Sequence, residues 1–204
     1  MTKTELFATI NQHLLKDEKP SEYLNTLLSE EIFQNPPYRM LYLLSKTEQS
    51  PKYHPEGNAW IHTLMVVDEA AKVRERSTHP DWFMWASFLH DIGKPETTRM
   101  RHGRLTSYGH DEVGEHLAKE FLEEFIDDEE EIAYIVGLVR YHMHILYIIK
   151  SLPHGMPKAM VKETNIEDVA LLGWCDRMGR TNAIASEEEK AIRLFYKMAN
   201  KLKD

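Results

Sequence analysis

The chain has 204 residues, of which 42 % are hydrophobic and 28 % charged, and a formal net charge of −8. This composition sustains one cored domain, excludes a disordered chain, and is not that of a general nucleic-acid binder. A single cysteine, Cys175, excludes an intrachain disulfide and a cysteine-built zinc site, which fits a reducing, cytoplasmic setting.

The start, MTKTELFATINQHLLKDEK, is amphipathic and lacks the apolar core of a signal peptide. No apolar run approaches the roughly 20 residues of a membrane span. Apolar residues recur at spacings of three and four throughout, which predicts an all-α fold. The first helix is expected over Thr4–Lys16, with Leu6, Ile10, Leu14 and Leu15 on one face, and the second over Glu22–Phe33. Pro36-Pro37 stops it and starts a third over Tyr38–Lys46. Residues 50–58, with two prolines and a glycine, read as a loop. Helices follow over Ala59–Arg76, Trp82–His90, His110–Phe125, Glu129–Ile149, Ile166–Met178 and Ser186–Leu202. The acidic run Asp127–Glu131 suits a helix start, where negative charge meets the positive end of the dipole. Residues 93–109 hold three glycines and a proline and read as a long functional loop. Within it Lys94, Arg99, Arg101 and Arg104 stand against Glu96, a local charge of +3 on an acidic protein.

Eleven histidines make that residue type the one to follow. His90 and Asp91, in FLHDIGK, diverge by about 100° on a helix, so they share one ion most easily at a helix end, which Gly93 and Pro95 supply. His62 lies upstream in NAWIHTLMVVDEAA, and Asp176 lies in GWCDRMGRT on a largely apolar helix, where a carboxylate is costly unless paired or metal-bound. Two imidazoles and two carboxylates suit Mn, Fe, Co, Ni or Zn, with Mg also allowed, better than Ca. His110 opens a helix, and His142 and His144 lie in RYHMHI. On one helix the last two point about 200° apart; His142, sharing a face with Leu138, Val139 and Leu146, is the one expected to face the site. With Asp91 bridging, His110 and His142 could hold a second ion about 3.5 to 4 Å from the first. Glu56 reads either as a ligand or as a group behind one. No role is argued for His13, His54, His79, His102, His116 or His154.

The order His … His-Asp … Asp resembles the HD superfamily of metal-dependent phosphohydrolases. HPEGNAWIHTLMVVDEAA, FLHDIGK, the Gly109-His110 pair, YHMH and CDRMGRT, in that order, resemble the C-terminal HD domain of bacterial CCA-adding tRNA nucleotidyltransferases. The likeness runs over residues 51–183. It implies a single HD-domain helical bundle at 51–183, with a helical extension at 1–50 and a C-terminal helix at 184–204. It implies His62, His90, Asp91 and Asp176 as metal ligands, with His110 and His142 as additional ones, and one or two divalent ions. The nucleotidyltransferase head has no counterpart here, since no Asp-x-Asp element is present, so CCA addition is not implied. Phosphatase, 2′-nucleotidase and 2′,3′-cyclic phosphodiesterase activities are. The GYP element of cyclic-di-GMP hydrolases and the His-Asp-x-x-Glu-Asp of guanosine tetraphosphate hydrolases are absent.

These residues lead to the expectation of a metal-dependent phosphohydrolase in which metal-activated water attacks phosphorus in line. Asp91 would position or deprotonate that water, His110 would protonate the leaving oxygen if it holds no metal, and Lys94 with Arg180 would neutralise phosphoryl oxygens. Arg177 is a further candidate for binding substrate. The expected partner is a small phosphorylated substrate of nucleotide type, without a membrane and without strong general nucleic-acid binding; a homodimer is compatible. Two rivals stand: a catalytically silent metal- or RNA-binding HD module acting with a partner protein, and a helical protein whose histidines are incidental.

Overall fold

A computed structural model describes residues 1–202; the last two residues of the C-terminal helix expected over 184–204 lie outside the described residues. Thr2 opens the first helix, α1 (Lys3–Lys16), by a reciprocal capping box with Glu5. The helix expected over Glu22–Phe33 is instead α2 (Pro20–Thr26) followed by 3-10 turns at Leu27–Ser29 and Glu31–Gln34. Hydroxyls explain the change: Thr26 Oγ1 donates to the Tyr23 carbonyl and Ser29 Oγ to that of Thr26, drawing acceptors away from the helical ladder. The same competition, from Ser45 and Thr47, accompanies the shift from α3 (Arg39–Tyr42) into a 3-10 turn at Leu43–Lys46.

Next come α4 (Ala59–Ala71), capped by the Asn58 side chain, and α5 (Pro80–Leu89), which Pro80 starts two residues earlier than expected. Residues 93–109 are not the open loop expected. They form a short α6 (Lys94–Thr97) and a hairpin of β1 (Arg99–Arg101) and β2 (Arg104–Thr106), paired Arg99 to Thr106 and Arg101 to Arg104. His102 (φ 49°) and Gly103 (φ 73°) turn it, both in the left-handed region that a two-residue hairpin turn demands.

Then follow α7 (His110–Glu123), α8 (Glu129–Tyr141), α9 (His144–Ile149), α10 (Pro157–Glu163), α11 (Ile166–Met178) and α12 (Ala185–Asn200). Asp128 caps α8 on the backbone N–H groups of Glu130 and Glu131, as the acidic run predicts. Two differences stand out: α10 has no counterpart in the sequence reading, and the helix expected over Glu129–Ile149 breaks at His142–Met143.

The fold is all-α apart from the hairpin. Helices α4, α5, α8 and α11 meet at its centre, α7 packs on α8, and α12 covers α9 and α11. Phe83, Trp85, Phe88, Trp60 and Phe121 fill the interior. The N-terminal helices close one side of it. Phe7 stacks on Trp85 at 4.3 Å and on Phe125 at 4.5 Å. Two indole N–H groups that burial would otherwise strand find acceptors there, Trp85 on Asn11 (2.8 Å) and Trp60 on Asn25 (3.2 Å). Among the described residues no helix is long and apolar enough to cross a membrane.

One close approach sets the geometry of the site. A Cβ at Gly93 would meet the His110 carbonyl oxygen at 2.2 Å and the Gly114 nitrogen at 2.6 Å. Only glycine lets the chain leaving α5 lie against the first turn of α7, which brings His90-Asp91 beside His110.

Candidate metal centre

Six side chains from five helices and their ends converge: His62 of α4, His90 and Asp91 just after α5, His110 at the start of α7, His142 just after α8, and Asp176 of α11. All six are buried. Asp91 is central and divides them. Its Oδ2 lies 3.2 Å from His90 Nε2 and 3.9 Å from His62 Nε2. Its Oδ1 lies 3.5 Å from His110 Nε2 and 4.0 Å from His142 Nε2. Asp176 Oδ1 completes the first set at 2.9 Å from His62 Nε2.

Each ring is held from behind. His90 Nδ1 donates to the Ser87 carbonyl (2.8 Å), His110 Nδ1 to that of Ser107 (2.7 Å), and His142 Nδ1 to that of Val139 (2.7 Å). In all three the carbonyl belongs to the residue three places earlier. For His90 and His142 this bond also takes a carbonyl that a further helical turn would use, so ring orientation and helix termination have one cause. This accounts for the break after His142 and separates it from His144, whose Nε2 instead accepts from the Met156 backbone N–H at 3.0 Å. Glu56 backs His62, its Oε1 lying 3.0 Å from Nδ1.

With Nδ1 carrying the proton, the Nε2 lone pairs of these rings face inward. His90 Nε2 has no hydrogen-bond partner among the described residues. His110 Nε2 and His142 Nε2 confront each other at 3.1 Å. Lone pairs turned on one another around a carboxylate are unfavourable unless a cation lies among them. His62, His90 and Asp91 form one set whose ligand atoms all lie within 4.8 Å, and Asp91, His110 and His142 form another. The donor set therefore fits a divalent cation.

Electrostatics agree for His110 and His142, while His62 is drawn toward its protonated form by its carboxylate partners. Burial, then the repulsion that His110 and His90 exert when protonated, pushes His142 down to about 3, and burial also lowers His110. Both rings thus stay neutral near pH 7, as ligands must be. Burial opposes the ionised forms of Asp91 and Asp176, but His90 and Lys94 around the first, and Arg180 and His62 around the second, hold both well below the usual carboxylate range. For His62 burial opposes the charged form, yet the bonds to Asp176 and Glu56 win and raise it.

The cations are placed differently from one another. Lys94 is buried, its Nζ 2.6 Å from Asp91 Oδ2 and 2.6 Å from Gln49 Oε1. Arg180, one turn beyond Asp176, has Nη2 3.3 Å from both carboxylate oxygens. Arg177 is not brought to the cluster: its Nε pairs with Glu188 of α12. Adjacent residues on α11 diverge by about 100°, so Asp176 and Arg177 serve different faces. Arg177, expected as a substrate contact, here makes an ion pair between α11 and α12. Gln49 and His54 are not singled out by the sequence. His54 packs edge-on against His62 and its Nδ1 reaches Glu56 Oε1 at 2.9 Å. Gln49 carries no sequence signal, whereas the HPE spacing, two residues apart, could have drawn His54 in beside Glu56.

Comparison with known proteins points the same way. The chain is similar to multifunctional CCA proteins of Actinobacillus pleuropneumoniae serotype 5b (25 % identity over 123 residues, 59 % of this chain and 28 % of that protein), Pseudomonas syringae pv. syringae (36 % over 101 residues, 47 % and 22 %) and Halorhodospira halophila (37 % over 99 residues, 47 % and 22 %). It thus covers less than a third of the length of each of these relatives. The family model described as HD domain matches residues 59–178, which hold all six converging side chains. With more than half of its length matched, the chain belongs to the HD domain family.

Proposed function

We propose that this protein is a metal-dependent hydrolase of nucleotide-type phosphoesters, taking 2′,3′-cyclic phosphodiesters or phosphomonoesters. The observation that carries the reading is the Asp91 carboxylate set between two groups of inward-facing imidazole nitrogens. His62, His90, Asp91 and Asp176 would hold one divalent ion, and Asp91, His110 and His142 a second. Mn, Fe, Co, Ni or Zn suits this nitrogen and oxygen set. When bound, such ions supply an activated water and neutralise phosphoryl charge.

The chain's own residues do the rest. Asp91, kept ionised, orients the attacking water. Lys94, tethered by Gln49, presents a fixed positive charge beside Asp91, where phosphoryl oxygens need it. Arg180, partly exposed beyond Asp176, meets the phosphate from the solvent side. His110, held neutral by burial, suits a ligand better than an acid for the leaving oxygen. We take residues 51–183 as the hydrolase unit, 1–50 as a helical extension packed on it, and 184–204 as a C-terminal helix, whose α12 packs on α9 and α11.

A panel of p-nitrophenyl phosphate, its bis-ester, nucleoside monophosphates and 2′,3′-cyclic AMP, each with Mn, Co, Ni, Zn and Mg, tests the proposal. Metal-dependent turnover that Asp91→Ala abolishes without loss of helix content is expected. No turnover with any metal, together with tight binding of structured RNA at physiological salt, would sink it in favour of a binding module.

A further inference from the structure

The loop between the 3-10 turn at Leu43–Lys46 and α4 carries no motif beyond HPE, yet it supports the cluster. Its base is closed by the Ala59 N–H donating to the Thr47 carbonyl at 2.9 Å and by Asn58 Nδ2 donating to that of Ser45 at 3.1 Å. Inside it the His54 N–H donates to the Ser50 carbonyl at 2.9 Å. The loop therefore presents its side chains from a fixed frame.

Two imidazoles meet on one oxygen of that frame. Glu56 Oε1 lies 3.0 Å from His62 Nδ1 and 2.9 Å from His54 Nδ1, and the Glu56 side chain is only 2 % exposed. This trio has the composition of a metal site in its own right. The chemistry argues against that use. His62 Nε2 lies 2.9 Å from Asp176 Oδ1 and 3.9 Å from Asp91 Oδ2; an ion held with those carboxylates would take the Nε2 lone pair and leave the ring's proton on Nδ1, and a protonated nitrogen is no ligand. The other way to satisfy both contacts is for each ring to donate its Nδ1–H to the carboxylate.

We infer that Glu56 is the positioning residue of the metal centre, fixing His62 with Nδ1–H on its carboxylate and Nε2 toward the ion, and that His54 clamps Glu56 in turn. This rests on reading the cluster as a metal centre. His90, His110 and His142 are each backed by a neighbouring carbonyl three residues earlier. His62, in the first turn of α4, is backed by a carboxylate from another segment, and the His54–Glu56 pair supplies what its own helix does not. A carboxylate behind a ligating histidine also makes that ring a stronger donor.

The test titrates the full-length protein with Co²⁺, followed by visible absorption, and with Zn²⁺, followed by calorimetry. Glu56→Ala is expected to weaken affinity about 10–100-fold, Glu56→Gln less because its amide oxygen still accepts, and His54→Ala less than Glu56→Ala. Long-range ¹⁵N spectra of the Zn²⁺-loaded protein should show His62 protonated only at Nδ1 in the wild type, and that signature lost in Glu56→Ala. If Glu56→Ala does not fold, the Glu56→Gln titration decides. Wild-type affinity and an unchanged Co²⁺ spectrum in the folded Glu56 variants, whatever their thermal stability, would overturn the inference while His62→Ala still loses metal. If His62→Ala binds Co²⁺ as the wild type does, the metal-centre reading falls and the inference with it.

Discussion

The Nε2 atoms of His110 and His142 lie 3.1 Å apart, although the Nδ1 of each ring is already committed to a backbone carbonyl. Neither ring in its neutral form has a proton to offer the other. A cation bridging toward Asp91 Oδ1 resolves the confrontation, so the purified protein should hold close to two ions per chain. His142→Ala should lower that content by about one while leaving His62, His90 and Asp176 to keep the other. Elemental analysis of protein dialysed after metal loading checks this. A content of one that His142→Ala leaves unchanged would make the site mononuclear.

Gly93→Ala should be among the most damaging single-methyl additions in the chain. The new Cβ would fall 2.2 Å from the His110 carbonyl oxygen and 2.6 Å from the Gly114 nitrogen, both backbone atoms that cannot swing aside. The first turn of α7 must then retreat, at a cost of about 1–3 kcal/mol of stability. The same retreat draws His110 away from Asp91, so metal bound by the His110 side of the cluster should be lost before metal bound by the His62 side. Chemical denaturation and metal content measured on one sample check both parts; a variant of wild-type stability and full metal content contradicts the packing argument.

How much of this the sequence discloses depends on whether the determinant is local. His62, His90, Asp91 and Asp176 stand out because their neighbours are apolar, and their convergence is an all-α bundle's answer to burying charged groups. The broken helix after His142 is hidden, since the bond that ends it runs from a side chain whose orientation only the folded cluster fixes. The 3-10 turns near Leu27 and Leu43 are hidden by serine and threonine hydroxyls whose acceptors a periodicity argument ignores. Gln49 is invisible because a glutamine holding a lysine 45 residues away leaves no pattern at all. Arg177 misleads because adjacency to Asp176 in sequence is divergence on a helix.

The metal-free protein should lose stability as acid is added, above the range where carboxylates titrate. Burial together with the charge of Lys94 pushes His54 down to about 4, burial with His110 and His90 pushes His142 to about 3, and burial with Arg140 pushes His144 to about 4, all from 6.5. Between those values the unfolded chain binds protons that the folded chain refuses. The stability these rings contribute is therefore present above pH 6.5 and lost as pH falls toward 4. His62, raised by its two carboxylate partners against the effect of burial, runs the other way: its contribution is present below 6.5 and lost as pH rises through its folded value. With His110, which burial also lowers, four rings oppose one, so the balance falls on the side of loss in acid. Urea midpoints measured in chelator should be lower at pH 5 than at pH 7.5. A flat profile would mean the folded rings accept protons freely.

The three arginines near the cluster in sequence should separate cleanly in kinetics. Arg180 stands 3.3 Å from the Asp176 carboxylate and is partly exposed, so it can reach a phosphate entering from solvent without leaving its ion pair. Arg177 is committed to Glu188, and its loss should weaken the seam between α11 and α12 rather than turnover. Arg101 lies exposed on β1, its guanidinium 5.2 Å from the centre of the Tyr108 ring, and contributes to the field around the site more than to any contact within it. Arg180→Ala should therefore lower kcat/KM by about 10–100-fold, the size of one charged contact to a developing anion. Arg101→Ala should change it by no more than a few-fold, with that change fading as salt screens it. Arg177→Ala should keep kcat/KM and lower the denaturation midpoint. The comparison is made on whichever phosphoester the substrate panel finds turned over best, at low and at physiological salt. If Arg101→Ala proves more damaging than Arg180→Ala at physiological salt, the phosphate is held by the hairpin and not by the end of α11.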